Sequence, residues 1–248
     1  MNTETYPKKR LDAGLSREEV ENALENFLQP ENPAKVFVVK GSWGIGKTHL
    51  VEKFLSRKEY EYHYGSMFGI PTIEDLKMQL LSNHNKHTSK GNKQKNILRI
   101  PWINRNSNDI GHIVEAMPKM GLYGIGFTPA ILKLATQIAI NTTLKNKLIC
   151  IDDLERHSSK VSFDEILGFI ENFSGNKKCK FIVIFNEHKI NEESKKILQE
   201  YREKVIDFEV NLSPSLEENI QIGFGSDDPD PIVLEHLEFF SNPHSAGT

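Results

Sequence analysis

The sequence predicts an α/β fold in which helices cover both faces of a parallel sheet. Short apolar runs recur along the chain and alternate with segments of helical periodicity. The first run, residues 35–40, leads directly into a glycine-rich turn and then a helical stretch. A later run, residues 147–151, ends in two carboxylates, Asp152 and Asp153. Continuous apolar runs of this length are typical of strands that are buried on both faces, as parallel strands are.

Composition is typical of a globular protein. The 248 residues allow one large domain, or one domain with a small appendage. Charged residues make up 26% and hydrophobic residues 38%, which excludes a disordered chain. The net charge of −3 provides no overall attraction to nucleic acid or to an anionic membrane. Cys150 and Cys179 lie in or beside apolar runs, which indicates strand residues and predicts a reducing, cytoplasmic location.

Neither a secretory signal nor a membrane span is expected. Residues 1–10 are polar and contain no apolar core. No apolar run reaches the ~18 residues that a spanning helix needs. The longest candidate, residues 121–140, is interrupted by Pro129 and Lys133. We therefore predict a chain without membrane helices.

The predicted elements follow one another as helix and strand in alternation. A capping box from Ser16 to Glu19 opens a helix that ends near Leu28. Pro71 and Thr72 begin a further helix after the second strand. The predicted strands are residues 35–40, 59–68, 147–151, 180–185 and 204–210, and the later helices are residues 163–173 and 192–203.

The turn after the first strand matches the phosphate-binding P-loop, G-x-x-x-x-G-K-[ST]. Its glycines allow tight turns that bring backbone N–H groups against phosphate oxygens. Lys47 can reach the β- and γ-phosphates, the Thr48 hydroxyl suits Mg²⁺, and the following helix N-terminus favours anions. The predicted nucleotide-binding residues are Gly41, Ser42, Trp43, Gly44, Ile45, Gly46, Lys47, Thr48 and His49.

Polar side chains at the ends of two later strands supply the remainder of a predicted hydrolytic site. Ligands of open α/β sheets bind at the carboxyl ends of the strands. We expect Asp152 to hold Mg²⁺ together with Thr48, and Asp153 to orient or activate the attacking water. Asn186, after the fourth strand, is the candidate for sensing the γ-phosphate. The alternative for all three residues is a role in turns or helix caps.

Residues 82–141 are predicted to be an insert between the second and third strands. Residues 82–99 carry lysines and an arginine but no acid, which predicts a solvated loop. The alternative is a surface that contacts nucleic acid or a protein partner. Glycines at 121, 124 and 126 match a dinucleotide fingerprint only loosely, so we interpret them as a loop between helices.

Several short motifs together resemble the KAP family of P-loop NTPases. They are residues 43–48, 65–69, 152–156, 185–187 and 201–204. The resemblance covers about residues 15–215 and implies the additional-strand ATPase core, with five strands in the order 5-1-4-3-2 and an insert before the acidic strand. It also implies ATP, Mg²⁺ and, from bacterial members, a link to antiviral defence. This chain has Glu155-Arg156 where the family commonly has Asp-Arg.

Two arginines are candidates for a finger on the γ-phosphate, either within the chain or across an oligomer interface. Arg156 follows the acidic motif, and Arg202 precedes the fifth strand. The alternative for Arg156 is a salt bridge, and the alternative for Arg202 is a solvated surface position. Lys47, Asp153, Asn186 and Arg156 form the predicted catalytic set.

The predicted function is Mg²⁺-dependent binding and hydrolysis of ATP that drives a conformational or assembly switch. Residues 1–215 are expected to form the P-loop domain, and residues 216–248 a short, truncated C-terminal segment. The expected partners are the nucleotide and a homo-oligomer or effector protein. One alternative is a phosphotransferase for a small acceptor, with Arg105 as a candidate lid residue. The other is a nucleotide-gated module that binds nucleic acid or protein.

Overall fold

The computed structural model describes residues 9–85 and 137–215, together with Glu218. Over these residues the chain forms one seven-stranded sheet between two layers of helices. The strands are β1 (Lys9–Leu15), β2 (Val36–Lys40), β3 (Tyr62–Ser66), β4 (His84–Asn85), β5 (Leu148–Asp152), β6 (Lys180–Phe185) and β7 (Phe208–Leu212). The helices are α1 (Arg17–Leu28), α2 (Lys47–Arg57), α3 (Ile73–Ser82), α4 (residues 137–143), α5 (Phe163–Gly175) and α6 (Glu192–Lys204). Short 3₁₀ turns, Leu154–Arg156 and Glu187–Lys189, follow β5 and β6.

The order of the strands confirms the predicted core. The sheet runs β1-β7-β2-β6-β5-β3-β4, so its five central strands have the order 5-1-4-3-2 of the prediction. All pairs are parallel except β3 with the two-residue β4 at one edge. Parallel neighbours require crossover connections, which is why helices cover both faces of the sheet.

The edges of the sheet differ from the sequence-based expectation. Neither β1 nor β4 was predicted, and β1 begins within residues 1–10, which were interpreted only as a polar terminus. β1 pairs with β7 through its backbone, so its polar composition did not signal a strand. The fifth predicted strand, residues 204–210, was placed too early. It begins at Phe208, because α6 continues to Lys204 and its C-cap is Val205. Asp207, between the two elements, accepts hydrogen bonds from the amides of Lys35 (2.6 Å) and Val36 (3.0 Å).

Two apolar clusters lie on opposite faces of the sheet. Alternate residues of β2 belong to different clusters, with Phe37 on the face of α1 and α2 and Val38 on the other face. Phe54 of α2 packs in the first cluster, while Ile166 of α5 and Leu198 of α6 pack in the second. Burying one such side chain contributes roughly 1.5–3 kcal/mol. This packing holds the two helical layers against the sheet.

The starts of the helices have two kinds of cap. Ser16 forms the predicted capping box with Glu19, and Thr72 caps α3 as expected. Helix α2 begins differently, because its N-cap is Gly46, which has a φ of 83° and no side-chain cap. The first N–H groups of α2 therefore have no capping side chain and can meet a ligand.

Most of the predicted insert lies outside the described residues. This applies to the lysines of residues 86–99, to Arg105 and to the glycines of residues 121–126. The segment after Ser215, apart from Glu218, is also outside them. Within the described part of the chain, no helix is both long and apolar enough to cross a membrane.

Candidate nucleotide-binding site

The carboxyl ends of the central strands bring the predicted site residues to one edge of the sheet. β2 ends at Lys40, which is in register with Phe185, the last residue of β6. Gly41 and Asn186 therefore leave the sheet side by side. On the other side of β6, β5 ends at Asp152. Residues that are distant in sequence thus converge because parallel strands end at a common edge.

The loop between β2 and α2 has the tight geometry expected of the motif. Gly44 and Gly46 have φ angles of 82° and 83°, a left-handed conformation that residues with a side chain rarely adopt. Lys47 is buried, and its Nζ donates to the carbonyl oxygens of Gly41 (2.9 Å) and Ser42 (2.8 Å). The ammonium group is therefore held by two neutral backbone acceptors of its own loop.

The electrostatics of the site tie Lys47 to the acidic strand. Burial lowers the pKa of Lys47, and the carboxylates of Glu155, Asp152 and Asp153 oppose that change. Three negative groups are therefore close enough to stabilise the charged amine, although they belong to β5 and the turn after it. An anion bound at the loop would compete with them for the same ammonium group.

Thr48 and Asp152 meet as the sequence predicted. The Thr48 hydroxyl donates to Asp152 Oδ2 at 2.6 Å, although the two residues are 104 positions apart. The Tyr64 hydroxyl donates to the same oxygen at 3.0 Å, and the Asp153 amide donates to Oδ1 at 2.7 Å. The buried Asp152 carboxylate is thereby held in one orientation. A hydroxyl beside a carboxylate is a donor set that fits Mg²⁺.

Asp153 is oriented differently from its neighbour. Its backbone is left-handed, with φ 55° and ψ 37°, which is strained for a residue with a side chain. Its Oδ2 accepts a hydrogen bond from Ser66 Oγ at 2.8 Å, and its Oδ1 is 3.6 Å from Arg156 Nη1. The Arg156 guanidinium also stacks on the Phe68 ring, 3.8 Å from the ring centroid. The salt bridge weighed for Arg156 is therefore present.

Asn186 begins the 3₁₀ turn after β6. It is buried, and its Oδ1 accepts a hydrogen bond from the His188 amide at 3.1 Å. The turn-forming role considered for this residue is therefore present. The same bond orients the side chain, and Nδ2 is its remaining donor for a ligand.

Two motif residues contribute little to the packing of the site. Trp43 is 77% exposed, and His49 is also exposed on the first turn of α2. Their positions follow from the loop and the helix start rather than from contacts with the core. Trp43 consequently provides a solvent-exposed fluorophore within the loop.

Arg17 and Glu155 contribute to the site without having been assigned a role. Arg17 Nη2 donates to the Ile45 carbonyl at 2.7 Å, and its guanidinium lies 3.2 Å from where a Cβ on Gly46 would be. Arg17 thus holds the outer side of the loop, a contact between α1 and the loop that no motif signals. Glu155 Oε2 is buried and lacks a hydrogen-bond partner among the described residues. Its position within the acidic motif, residues 152–156, could have identified it as a site residue from the sequence.

Arg202 is neither solvated nor directed at the loop. It belongs to what we call the ionic cluster: Lys40, Glu187, Arg202 and Glu209. Arg202 donates to both carboxylate oxygens of Glu209, through Nη2 at 2.7 Å and through Nε at 3.1 Å, and it also contacts Glu187. Lys40 Nζ is 3.1 Å from an oxygen of each glutamate. The solvated alternative for Arg202 is therefore wrong.

Comparison with known families places these residues in one matched segment. A family model described as the KAP family P-loop domain matches residues 17–224. This range contains every predicted site residue. It bears out the resemblance found in the short motifs.

Three solved structures show similarity at low sequence identity. Cdc6p from Pyrobaculum aerophilum has a TM-score of 0.43 and 14% identity, over 95% of this chain and 52% of that one. A Walker-type ATPase of Pyrococcus abyssi has a TM-score of 0.49 and 14% identity, over 95% of this chain and 66% of that one. A DNA replication initiation factor has a TM-score of 0.41 and 16% identity, over 90% of this chain and 50% of that one. This chain spans about half to two thirds of their lengths. No curated protein matches by sequence.

Proposed function

This chain belongs to the KAP family of P-loop domains, and on that premise we propose that it binds ATP with Mg²⁺ and hydrolyses it. The observation that carries the proposal is the 2.6 Å hydrogen bond between Thr48 Oγ1 and Asp152 Oδ2. It joins the phosphate-binding loop to the acidic strand. A turn that happened to resemble the motif would have no reason to meet a buried carboxylate in this way.

Thr48 and Asp152 are the residues that would hold Mg²⁺. When bound, the ion would supply positive charge that stabilises the negative charge developing on the phosphate. The Tyr64 hydroxyl supports this carboxylate. Burial, together with the charge of Asp152, raises the pKa of Tyr64, so the phenol stays a donor at neutral pH. Tyr64 can therefore hold the Asp152 carboxylate in place before a nucleotide binds.

The loop and the start of α2 would bind the phosphates. The N–H groups at residues 43–48 lie in a turn that two left-handed glycines make possible, and the α2 N-terminus favours negative charge. Lys47 can exchange the carbonyls of Gly41 and Ser42 for phosphate oxygens without leaving the loop. Its charge then stabilises the transferred group.

Two carboxylates compete for the role of orienting or activating the attacking water. Asp153 is the first candidate, because it directly follows the acidic strand and its side chain contacts different groups from those that Asp152 contacts. Its oxygens already contact Ser66 and Arg156. Glu155 is the second candidate, because its buried Oε2 has no partner among the described residues and its charge acts on Lys47. A water hydrogen-bonded to that oxygen would satisfy it.

Asn186 and Arg156 complete the proposed catalytic set. Asn186 Nδ2 would contact the γ-phosphate, because Oδ1 is used by the turn. Arg156 has 42% of its side chain exposed, so it can exchange Asp153 for a phosphate of its own or a neighbouring molecule. Loss of the γ-phosphate would release both contacts, which provides the conformational or assembly switch. The family resemblance extends the proposal to antiviral defence.

The decisive experiment is a nucleotide panel read by thermal shift and by phosphate release. We expect ATP to raise the melting temperature more with Mg²⁺ than without it, and phosphate to appear without any acceptor. Transfer only to an added nucleoside or sugar would instead indicate the phosphotransferase. Binding of oligonucleotides that weakens steeply with salt, without turnover, would indicate the nucleic-acid module. Measuring turnover over a range of protein concentrations tests for assembly.

A further inference from the structure

The ionic cluster is built from charges that have little access to water. Glu209 has no exposed side-chain area, and the side chains of Lys40, Arg202 and Glu187 are 12%, 14% and 29% exposed. Burial favours the neutral form of Glu187, but hydrogen bonds from Arg202 and Lys40 outweigh it and lower the pKa of this carboxyl. Two carboxylates thus face the cations of Lys40 and Arg202 in a poorly solvated site, where the paired geometry is strongly preferred. Arg10, whose side chain is 46% exposed, adds a longer contact at the rim, 3.7 Å from Glu209 Oε2.

Two members of the cluster adjoin the proposed site along the chain. Lys40 directly precedes Gly41, the first residue of the phosphate-binding loop, and Glu187 directly follows Asn186. Glu187 also opens the 3₁₀ turn that donates the His188 amide to Asn186 Oδ1. A fixed Glu187 therefore fixes the turn, and the turn fixes the direction of the Asn186 amide.

We propose that Arg202 is a positioning residue that acts within its own chain: with Lys40 it anchors Glu187 and so orients Asn186. This inference rests on the hydrolytic function proposed above. Arg202 could reach the nucleotide of a neighbouring molecule only by leaving both carboxylates. That departure would leave Glu209 buried with one cation fewer. The geometry assigns Arg202 to positioning rather than to a finger.

The first test separates positioning from binding. Glu187→Ala removes the anchor at a partly exposed position, so the variant should fold. We expect kcat to fall by about tenfold to a hundredfold while the Kd for nucleotide is unchanged. The matched control is Glu193→Ala, an exposed glutamate on α6. Equal kinetics for the Glu187 and Glu193 variants would overturn the proposal.

The second test asks whether Glu187 acts through Asn186. In an Asn186→Ala background, Glu187→Ala should cause no further loss of kcat. Losses that multiply would show an independent role and overturn the proposal.

The third test distinguishes a chain's own arginine from a finger supplied by a neighbour. Arg202→Ala alone would leave Glu209 poorly paired, so the folded test variant is the double substitution Arg202→Met with Glu209→Leu. Adding the Lys47→Ala protein to this variant should not raise phosphate release above that of the double variant alone. Recovery of phosphate release in the mixture would show a finger acting between molecules and overturn the proposal.

A measurement without nucleotide separates this inference from the proposed function. The side-chain amide signal of Asn186 can be assigned in an ¹⁵N spectrum by its loss in Asn186→Ala. We expect it to shift in Glu187→Ala and to stay in place in Glu193→Ala. An unmoved signal overturns the positioning role. A shifted signal in a protein that never releases phosphate would refute the hydrolytic function but confirm the positioning contact.

Discussion

The phosphate-binding loop and the ionic cluster lie next to each other at the same edge of the sheet, yet different forces hold them. In the loop, Lys47 is held by two backbone carbonyls, and left-handed glycines shape the turn. In the cluster, the contacts are between charged side chains from β2, α6, β7 and the turn after β6. The loop is a local structure, whereas the cluster exists only in the folded sheet.

The difference separates residues that bind a ligand from residues that hold the fold. A lysine resting on carbonyls can be released to a phosphate at small cost, because those acceptors are neutral. A buried glutamate that loses its cation has no such replacement. We therefore expect substitutions in the loop to reduce affinity and substitutions in the cluster to reduce stability.

The largest effect is expected at the carboxylates that face the loop. If Asp153 handles water, Asp153→Asn should lower kcat by about 10²–10⁴-fold, because general-base catalysis contributes that much. Nucleotide affinity should stay the same, since Thr48 and Asp152 are intact. Phosphate release and calorimetry measure the two quantities.

Glu155→Gln is the matched comparison for Asp153→Asn. A loss of turnover only in the Glu155 variant would assign the water to the buried Oε2 and remove Asp153 from that role. Wild-type turnover in both variants would place the catalytic base elsewhere.

The next effect is expected in the ionic cluster. Glu209→Ala leaves Arg202 and Lys40 without their buried partner, which should cost about 3–5 kcal/mol of unfolding free energy. Denaturant unfolding measures this loss. The control is Glu25→Ala, which breaks an exposed pair with Lys58 (2.6 Å; side chains 44% and 37% exposed) and should cost less than about 1 kcal/mol. Equal losses of unfolding free energy in the two variants would show that the ionic cluster stabilises the fold no more than an exposed ion pair does.

The loop should show the opposite behaviour. Lys47→Ala should weaken ATP binding by roughly tenfold to a hundredfold, the value of a lost ionic hydrogen bond. The free energy of unfolding should not fall, because burial already lowers the pKa of this amine and disfavours its charge. Calorimetry measures the ATP affinity, and denaturant unfolding measures the free energy of unfolding. Lys53→Ala, an exposed lysine on the same helix, is the control, and equal affinity of both variants would refute the role of the loop.

The smallest effect is expected at His63 of β3, which belongs to neither the loop nor the ionic cluster. His63 stacks on His84 at a centroid distance of 4.3 Å, and its Nδ1 is 2.8 Å from the Leu80 carbonyl. Burial lowers the pKa of His63 to about 4, which the Leu80 carbonyl opposes and the charges of His84 and Lys147 support. The unfolded chain, with a pKa near 6.5, binds more protons between these values. Stability is therefore complete above about pH 6.5 and falls as the pH decreases toward 4.

The expected loss is about 1.5 kcal/mol between pH 6.5 and pH 5. Denaturant unfolding across this range measures it. His63→Phe should flatten the dependence, whereas the exposed His188→Phe should not. A dependence that survives in the His63 variant would show that another group titrates in this window.

Much of the fold was predictable because its signals are local. Residue patterns within each segment identified all five central strands, and side-chain caps identified the starts of α1 and α3. The edge strands were missed because β1 and β4 are defined by hydrogen bonds to a neighbour, not by their own pattern. The start of β7 was likewise predicted too early, because contacts with other elements, such as those of Asp207 with the backbone at the start of β2, decide where it begins.

By itself, the sequence determined the loop, the acidic strand and the family, because a glycine turn, a lysine-threonine pair and a carboxylate after an apolar run each carry their chemistry within a few residues. It also suggested that Thr48 and Asp152 would meet, since parallel strands end at a common edge. Only the tertiary structure decided that Arg202 is enclosed by two glutamates, that Arg17 supports the loop and that the charge of Glu155 acts on Lys47. The physical reason is that each of these side chains interacts with a group on another element of the fold, namely the loop, α2, β7 or the turn after β6.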